Sequence, residues 1–414
     1  MSESLTRPDA PTRGNRSGPQ DRLAFPVPRS CPFSPPEDYA RLREHDPAPH
    51  VEISGGRPAR LLTRYEDVRR FLADRTTSAD ARDEALPALG LGEREAAAKS
   101  RPFLRTDPPD HTRQRRILQA QFTVRRVARM ADGIRERADH LVEALRPRGR
   151  ADVVSDYANV VSTSTVLGLM GLPDDDPDFF REITRISGGR QSTEAEVTAA
   201  LGTLFGTLDE HISLRSQEPG EDLLSALVQN HLLTGEVTRH ELLSTVGITI
   251  IAGRETTTSM IALSTWKLLQ DPAARAVAEA GGEAMKPLVE ELLRLLSVAD
   301  SIPIRVAGTD HEIAGSADPV RQGEGVISLL AAANHDPAAF PDPDRLFPDR
   351  TPNHHLAFGF GIHQCIGQHL ARLELQVALH SLFAGLPGLE LAGDDVALNN
   401  DAATFGIEEL PVRW

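Results

Sequence analysis

The sequence predicts a mainly α fold with small peripheral β-sheets. Three observations carry that expectation. Thr238 to Leu269 keeps a helical apolar period for some thirty residues, the longest such run in the chain. Four further segments, Arg125 to Leu145, Val153 to Gly171, Asp178 to Ser187 and Thr193 to Leu214, read as helices in succession. Strand patterns are short and lie towards the two ends, at Val51 to Ile53, Ala59 to Leu62 and Leu410 to Trp414.

The chain has 414 residues and a formal net charge of -15, which argues against non-specific nucleic-acid binding because phosphate contacts need a basic face. Its two cysteines, Cys31 and Cys365, stand far apart and read as reduced thiols of a cytoplasmic protein. No run of eighteen or more apolar residues occurs, so no transmembrane anchor is expected. Residues 1–30 are rich in Pro, Gly, Arg and Ser and lack an apolar signal core. They read as a flexible N-terminal arm ahead of one folded domain over 31–414.

Pro35-Pro36 followed by Glu37 to Glu44 opens a short helix, and Gly55-Gly56 turns the following pair of alternating segments into a hairpin. Tyr65 to Leu72 is a second short helix. Residues 78–103 hold Pro87, Gly90 and Gly92 without a clear period and read as a long irregular segment, usually functional or disordered. Pro108 and Pro109 set the next helix start, with Asp107 or Asp110 as its cap. Gly188-Gly189 breaks the chain between two of the long helices, and Asp222 to Gln229 is another short one. Thr238 and Glu241 fit a capping box at the start of the longest helix, which at about 1.5 Å per residue could cross the whole molecule. Its centre, Ile248 to Thr258, contains a glycine and several β-branched residues, a poor helix middle that predicts a local opening. Pro287 begins a helix carrying Glu290, Glu291 and Arg294, and His311 to Gly325 reads as a hairpin.

Phe358-Gly359-Phe360-Gly361-Ile362-His363-Gln364-Cys365-Ile366-Gly367 is the most informative stretch. Gly359 and Gly361 permit positive φ and close backbone approach, and Leu370, Leu373, Val377 and Leu379 mark the helix that follows. Cys365 then falls at a helix N-terminus, where unpaired N–H groups and the dipole favour a thiolate. Such a sulfur suits an axial ligand of haem iron.

Written as Phe-Gly-x-Gly-x-His-x-Cys-x-Gly, this stretch resembles the haem-binding loop of the cytochrome P450 family, in its soluble bacterial class, with every fixed position met. The resemblance runs from about residue 30 to 414 and rests on four separated motifs in order. It implies a triangular single domain with a long central helix, haem b as cofactor and Cys365 as the iron ligand. Phe358, Gly359, His363, Gly367, Ala252 and Gly253 would border the haem. His111 and Arg115, four apart on one helix face, would hold its propionates together with Arg305 and His363. Ala252-Gly253-Arg254-Glu255-Thr256-Thr257 resembles the family's oxygen-binding groove, so Thr256 would hold dioxygen and Glu255 would relay protons. Arg254 stands where such proteins often carry His or a small residue. Adjacent helix positions do not face each other, so it need not neutralise Glu255. Glu291 and Arg294 would form a buried structural pair completed by Arg345, bracing the cysteine loop. The two helices around Gly188-Gly189 would be a mobile lid. Leu89, flanked by Leu86 and Leu91, with Ile248, Val298, Ile302, Thr404 and Phe405, would meet the substrate.

The implied activity is a monooxygenase that hydroxylates or epoxidises a lipophilic molecule: a macrolide or other polyketide, a terpenoid or a steroid-like compound. Electrons would come from a ferredoxin and an NAD(P)H-dependent reductase, with the ferredoxin docking on the basic patch of Arg113, Arg116, Arg125 and Arg126. The expected protein is a monomer. A non-catalytic haem sensor or carrier is the alternative, but it would have no use for the acid–alcohol pair. A zinc site built from His354, His355, His363 and Cys365 would be crowded and would leave the distant groove unexplained.

Overall fold

The computed structural model describes residues 23–53, 56–174, 176–393 and 395–414. Its axis is the central helix Arg239–Leu269, 31 residues long, opened by the capping box in which Thr238 Oγ1 and the Glu241 carboxylate satisfy each other's backbone N–H groups. The expected opening at its middle is not seen: the helix is continuous. Thr256, Thr257 and Thr258 each donate a hydroxyl to the carbonyl four residues back, at 2.8, 2.9 and 3.0 Å, so these threonines satisfy their polar groups inside the helix.

The helices Asn159–Met170, Glu194–Gln217 and Gln368–Gly385 pack against this axis. The cysteine helix Gln368–Gly385 also lies against Ala131–Leu145, Pro272–Ala280 and Met285–Leu296. One large apolar core fills the space between these helices, and two smaller ones lie under the main sheet. That sheet has five strands in the order Leu23–Ala24, His50–Ile53, Arg57–Leu62, Gly325–Ser328, Ile304–Val306. His50 is paired with Arg60 and Ile53 with Arg57 in the antiparallel hairpin; Arg60 is paired with Val326 in parallel. A three-stranded sheet joins Arg150–Asp152, Pro411–Arg413 and Glu390–Leu391.

Several expectations are corrected. The N-terminal arm lies outside the described residues up to 22, and residues 23–30 belong to the fold. Leu23 pairs with Val51, and buried Arg29 donates to the carbonyls of Leu296 and Ser297 at 2.9 and 3.0 Å. The irregular span 78–103 contains the helix Glu93–Ser100, which an alanine run forms without an apolar stripe. Arg125–Leu145 divides into Val124–Ala128 and Ala131–Leu145. Of the hairpin at 311–325, the described residues keep the isolated bridge between His311 and Val320. No helix among the described residues is long and apolar enough to cross a membrane.

Candidate active site

The cysteine loop is shaped by its glycines. Gly361 has φ +75, and a Cβ there would fall 2.0 Å from the carbonyl oxygen of Leu72, so only glycine lets the loop lie on that backbone. Gly359 also has positive φ, +68, but faces open space. Cys365 N donates to Phe358 O at 2.9 Å, which closes the loop. The helix begins at Gln368, three residues past the cysteine, and the N–H groups of Gly367 and Gln368 point at the sulfur. Cys365 is accessible to solvent although deeply set. Burial pushes its thiol up, while those two N–H groups and the charges of Arg115 and Arg372 pull the other way. The free thiol is thus not an acidic one, contrary to the expectation from helix position. Desolvation outweighs the N–H groups and the guanidinia.

Beside it lies a concentration of basic side chains set into the protein. His111 and His363 stack with ring centroids 4.0 Å apart. Both nitrogens of His111 and Nδ1 of His363 are buried without a hydrogen-bond partner. Burial, then Arg115 and Arg305, push His111 down to about 4; His363 is pushed down by burial and by Arg305. Burial and nearby Arg105 lower Arg305 to about 9, and its Nη1 donates to its neighbour's carbonyl, Ile304 O, at 2.6 Å. Arg115 donates to Gln364 O at 2.6 Å, tying this group to the cysteine loop. The acid felt by the group, Asp107, already accepts from Ala79 N and Ser78 Oγ. A buried cation without a paired carboxylate, as Arg305 is, is costly. Orphaned imidazole nitrogens and guanidinia next to an accessible sulfur match a ligand with two carboxylates and a thiophilic metal: the residues present fit haem. Arg105, buried and paired with Glu93 at 3.0 Å, was not legible as a member.

The loop is braced from behind. Glu291 and Arg294 are fully buried and joined by two bonds of 2.8 Å. Their further partner is Arg350, whose Nε lies 2.9 and 3.0 Å from the two Glu291 oxygens. This corrects the assignment of Arg345: its side chain is exposed, and it gives Arg294 only its backbone carbonyl, at 3.2 Å. Both guanidinia lie against the Phe347 ring, that of Arg345 at 4.9 Å and that of Arg350 at 4.8 Å from its centroid. A second tie joins Glu290 to Arg372 on the cysteine helix at 2.6 and 2.9 Å and to His355 at 3.1 Å. His355 is therefore engaged away from Cys365, and among the described residues no three His, Cys, Asp or Glu are grouped to hold a metal ion.

On the central helix a stripe is open while its flanks are buried. Ala252 is exposed and Ile248, Glu255 and Thr256 are half-buried, whereas Ile250, Arg254 and Thr257 are buried. Burial raises Glu255 to about 7 against the pull of Arg254. Gly253 sits against Val166, where a Cβ would come within 3.3 Å of its methyl.

The expected substrate contacts are only partly brought together. Val298 accepts from Phe405 N at 2.9 Å, and both join the large core, which Ile248 also packs against. Thr404 is buried and Ile302 half-buried. Leu89 and Leu86 belong to a separate core under the sheet, and Leu91 is exposed. The basic patch is partly neutralised: Arg113 pairs with Glu241 and Asp110, and Arg116 with Glu236 at 2.9 Å. Arg125 is exposed and Arg126 half-buried beside exposed Val124.

The family model for Cytochrome P450 matches residues 284–385. The chain is 39% identical over 399 residues to the vitamin D3 dihydroxylase of Streptomyces griseolus, across 95% of this chain and 97% of that protein. Among solved structures, CYP105N1 of Streptomyces coelicolor A3(2) is 53% identical with a TM-score of 0.86, covering 94% of this chain and 98% of that one. The mycinamicin VIII C21 methyl hydroxylase of Micromonospora griseorubida, solved with mycinamicin VIII bound, is 34% identical with a TM-score of 0.88, covering 95% and 100%.

Proposed function

This chain belongs to the cytochrome P450 family, and from that premise we propose which residues carry its monooxygenase reaction and what it acts on. When bound, the haem activates dioxygen and places one oxygen atom in a C–H bond. Cys365 would hold the haem iron as a thiolate, its sulfur met by the N–H groups of Gly367 and Gln368. His111, Arg115, Arg305 and His363 would hold the two propionates, with Arg105 behind them. The carrying observation is the set of partnerless imidazole nitrogens of His111 and His363, with the guanidinia of Arg115 and Arg305, beside an accessible cysteine sulfur.

Glu255, raised to about 7, keeps a proton in reserve near neutral pH and would hand it on at the open stripe that Thr256 shares. The Thr256 hydroxyl donates to Ala252 O in the resting helix, and would turn from that bond to orient dioxygen, giving up its own proton as it takes the one from Glu255.

The substrate is a lipophilic secondary metabolite of polyketide, terpenoid or steroid-like size. Support comes from the aliphatic residues Ile248, Val298 and Ile302 and from the relatives, one named for vitamin D3 and one for mycinamicin VIII. A ferredoxin would dock at Arg125 and Arg126, the cationic remainder of the patch, beside exposed Val124. Two free cysteines suit a reducing cytoplasm. The test is turnover with a ferredoxin, its reductase, NADPH and dioxygen over a library of such compounds. The expected result is a product heavier by one oxygen atom for compounds that shift the ferric spin state; no product from any spin-shifting compound would contradict the reading.

A further inference from the structure

Arg254 has no place in the machinery assigned above, yet it is among the most deeply set charges in the molecule, at 5% exposure. It points away from the open stripe. Its Nη1 donates to Thr184 Oγ1, on the lid helix Pro177–Gly188. Thr184 is itself buried, and its hydroxyl is directed to the carbonyls of Phe180 and Arg181 at 2.7 and 3.0 Å. One guanidinium from the central helix therefore fastens the middle of the lid helix.

The end of that lid helix lies over Glu255. A Cβ on Gly188 would stand 3.1 Å from Glu255 Oε2, so the lid backbone covers the carboxyl directly, and the lack of a side chain at Gly188 makes room for it. Gly188 is fixed in turn, because its carbonyl accepts from Ala403 N at 2.8 Å. The charges bearing on this place are few. Glu255 feels Arg254, and Arg254 feels Glu255 and Arg181. Glu182 and Arg185 on the same helix are exposed and pair with each other.

We propose that Arg254 is a positioning residue: through Thr184 it clamps the lid helix to the central helix and so keeps Glu255 under the cover of Gly188. The clamp makes proton supply depend on lid position. With the lid down, the half-buried carboxyl lies against the Gly188 backbone and holds its proton more tightly than a free glutamate, because desolvation outweighs the pull of the adjacent guanidinium. With the lid raised, water reaches the carboxyl and it ionises. A proton is then available on Glu255 only when the lid has closed, which favours dioxygen chemistry on an occupied pocket over wasteful reduction of dioxygen.

This inference rests on Glu255 as the proton donor, and the two can fail separately. The haem-loaded protein is compared with its Thr184→Val, Arg254→Leu and Glu255→Gln variants. Two readouts need no turnover: hydrogen exchange of amides 178–188, and the infrared carboxyl band that Glu255→Gln abolishes, followed against pH. Losing a hydrogen bond to a charged group should speed the exchange about tenfold or more in both Thr184→Val and Arg254→Leu. The carboxyl titration should fall in both towards the ordinary glutamate value. If Arg254 acted only through its charge, Arg254→Leu would raise the titration and Thr184→Val would leave it unchanged, and either result overturns the clamp. Unaltered exchange in both variants overturns it as well. Full coupling in Glu255→Gln would remove Glu255 from proton supply while leaving the clamp to stand on the exchange data.

Discussion

Arg350 reaches both carboxylate oxygens of Glu291, at 2.9 and 3.0 Å, and with Arg294 encloses a carboxylate from which water is wholly excluded. Asn353 Nδ2 and Phe347 N complete the set at 3.1 Å each. Removing one partner leaves buried charge under-compensated. Arg350→Leu is therefore expected to cost about 3 kcal/mol, in the range for a broken buried pair. Arg345→Ala, at an exposed side chain, should cost less than about 0.5 kcal/mol. Urea melts of the two haem-loaded variants decide between them; the reverse order would restore Arg345 to the brace.

On the proposed reading Arg305 and His111 serve a ligand rather than the fold. Arg305→Leu removes a buried cation that no described carboxylate pairs, so the haem-free protein should become more stable. The same change should speed haem transfer to an acceptor protein about tenfold or more, since a charge-assisted bond to a propionate is lost. Equal destabilisation of both forms would make Arg305 merely structural.

Glu255 sets a pH dependence whose sign follows from its raised value. An acid that titrates near 7 when folded and near 4.5 when unfolded binds its proton more tightly in the fold. Its favourable contribution is complete below the unfolded value and is lost as pH rises from about 4.5 through about 7. Coupling of NADPH to product should decline across the upper part of that window, with an inflection that Glu255→Gln removes. Thr256→Ala should keep the haem and divert reducing equivalents to peroxide, measured as peroxide per NADPH; full coupling would take Thr256 out of the path.

The two loop glycines should respond differently. Gly359→Ala meets only the cost of positive φ, about 1–2 kcal/mol. Gly361→Ala adds a collision with Leu72 O and should prevent haem incorporation in cells. Equal haem content in the two variants would show that the Leu72 contact yields.

Local spacing made much of this legible. The cysteine loop, the capping box at Thr238, the groove at Ala252–Thr257 and the pairs His111–Arg115 and Glu291–Arg294 are each read within about ten residues, where helix and turn geometry fix what faces what. Contacts made only by folding were not. The motif in the sequence points to Arg345, while which guanidinium reaches Glu291 depends on how the proline-rich meander folds near Phe347. Arg105 and Arg372 enter their clusters from distant segments. The helix Glu93–Ser100 escaped because its alanines carry no amphipathic signal. The direction of the Cys365 shift was missed because helix position is local, whereas desolvation sums over the whole surrounding protein.

The ligand assignment of Cys365 is tested most directly by the absorption spectrum of the reduced, carbon-monoxide-bound protein, wild type against Cys365→Ala. The wild type should show the red-shifted Soret band of a thiolate-bound haem, and the variant should lose it. A colourless protein that takes up no hemin, or a band unchanged by the substitution, would contradict the account.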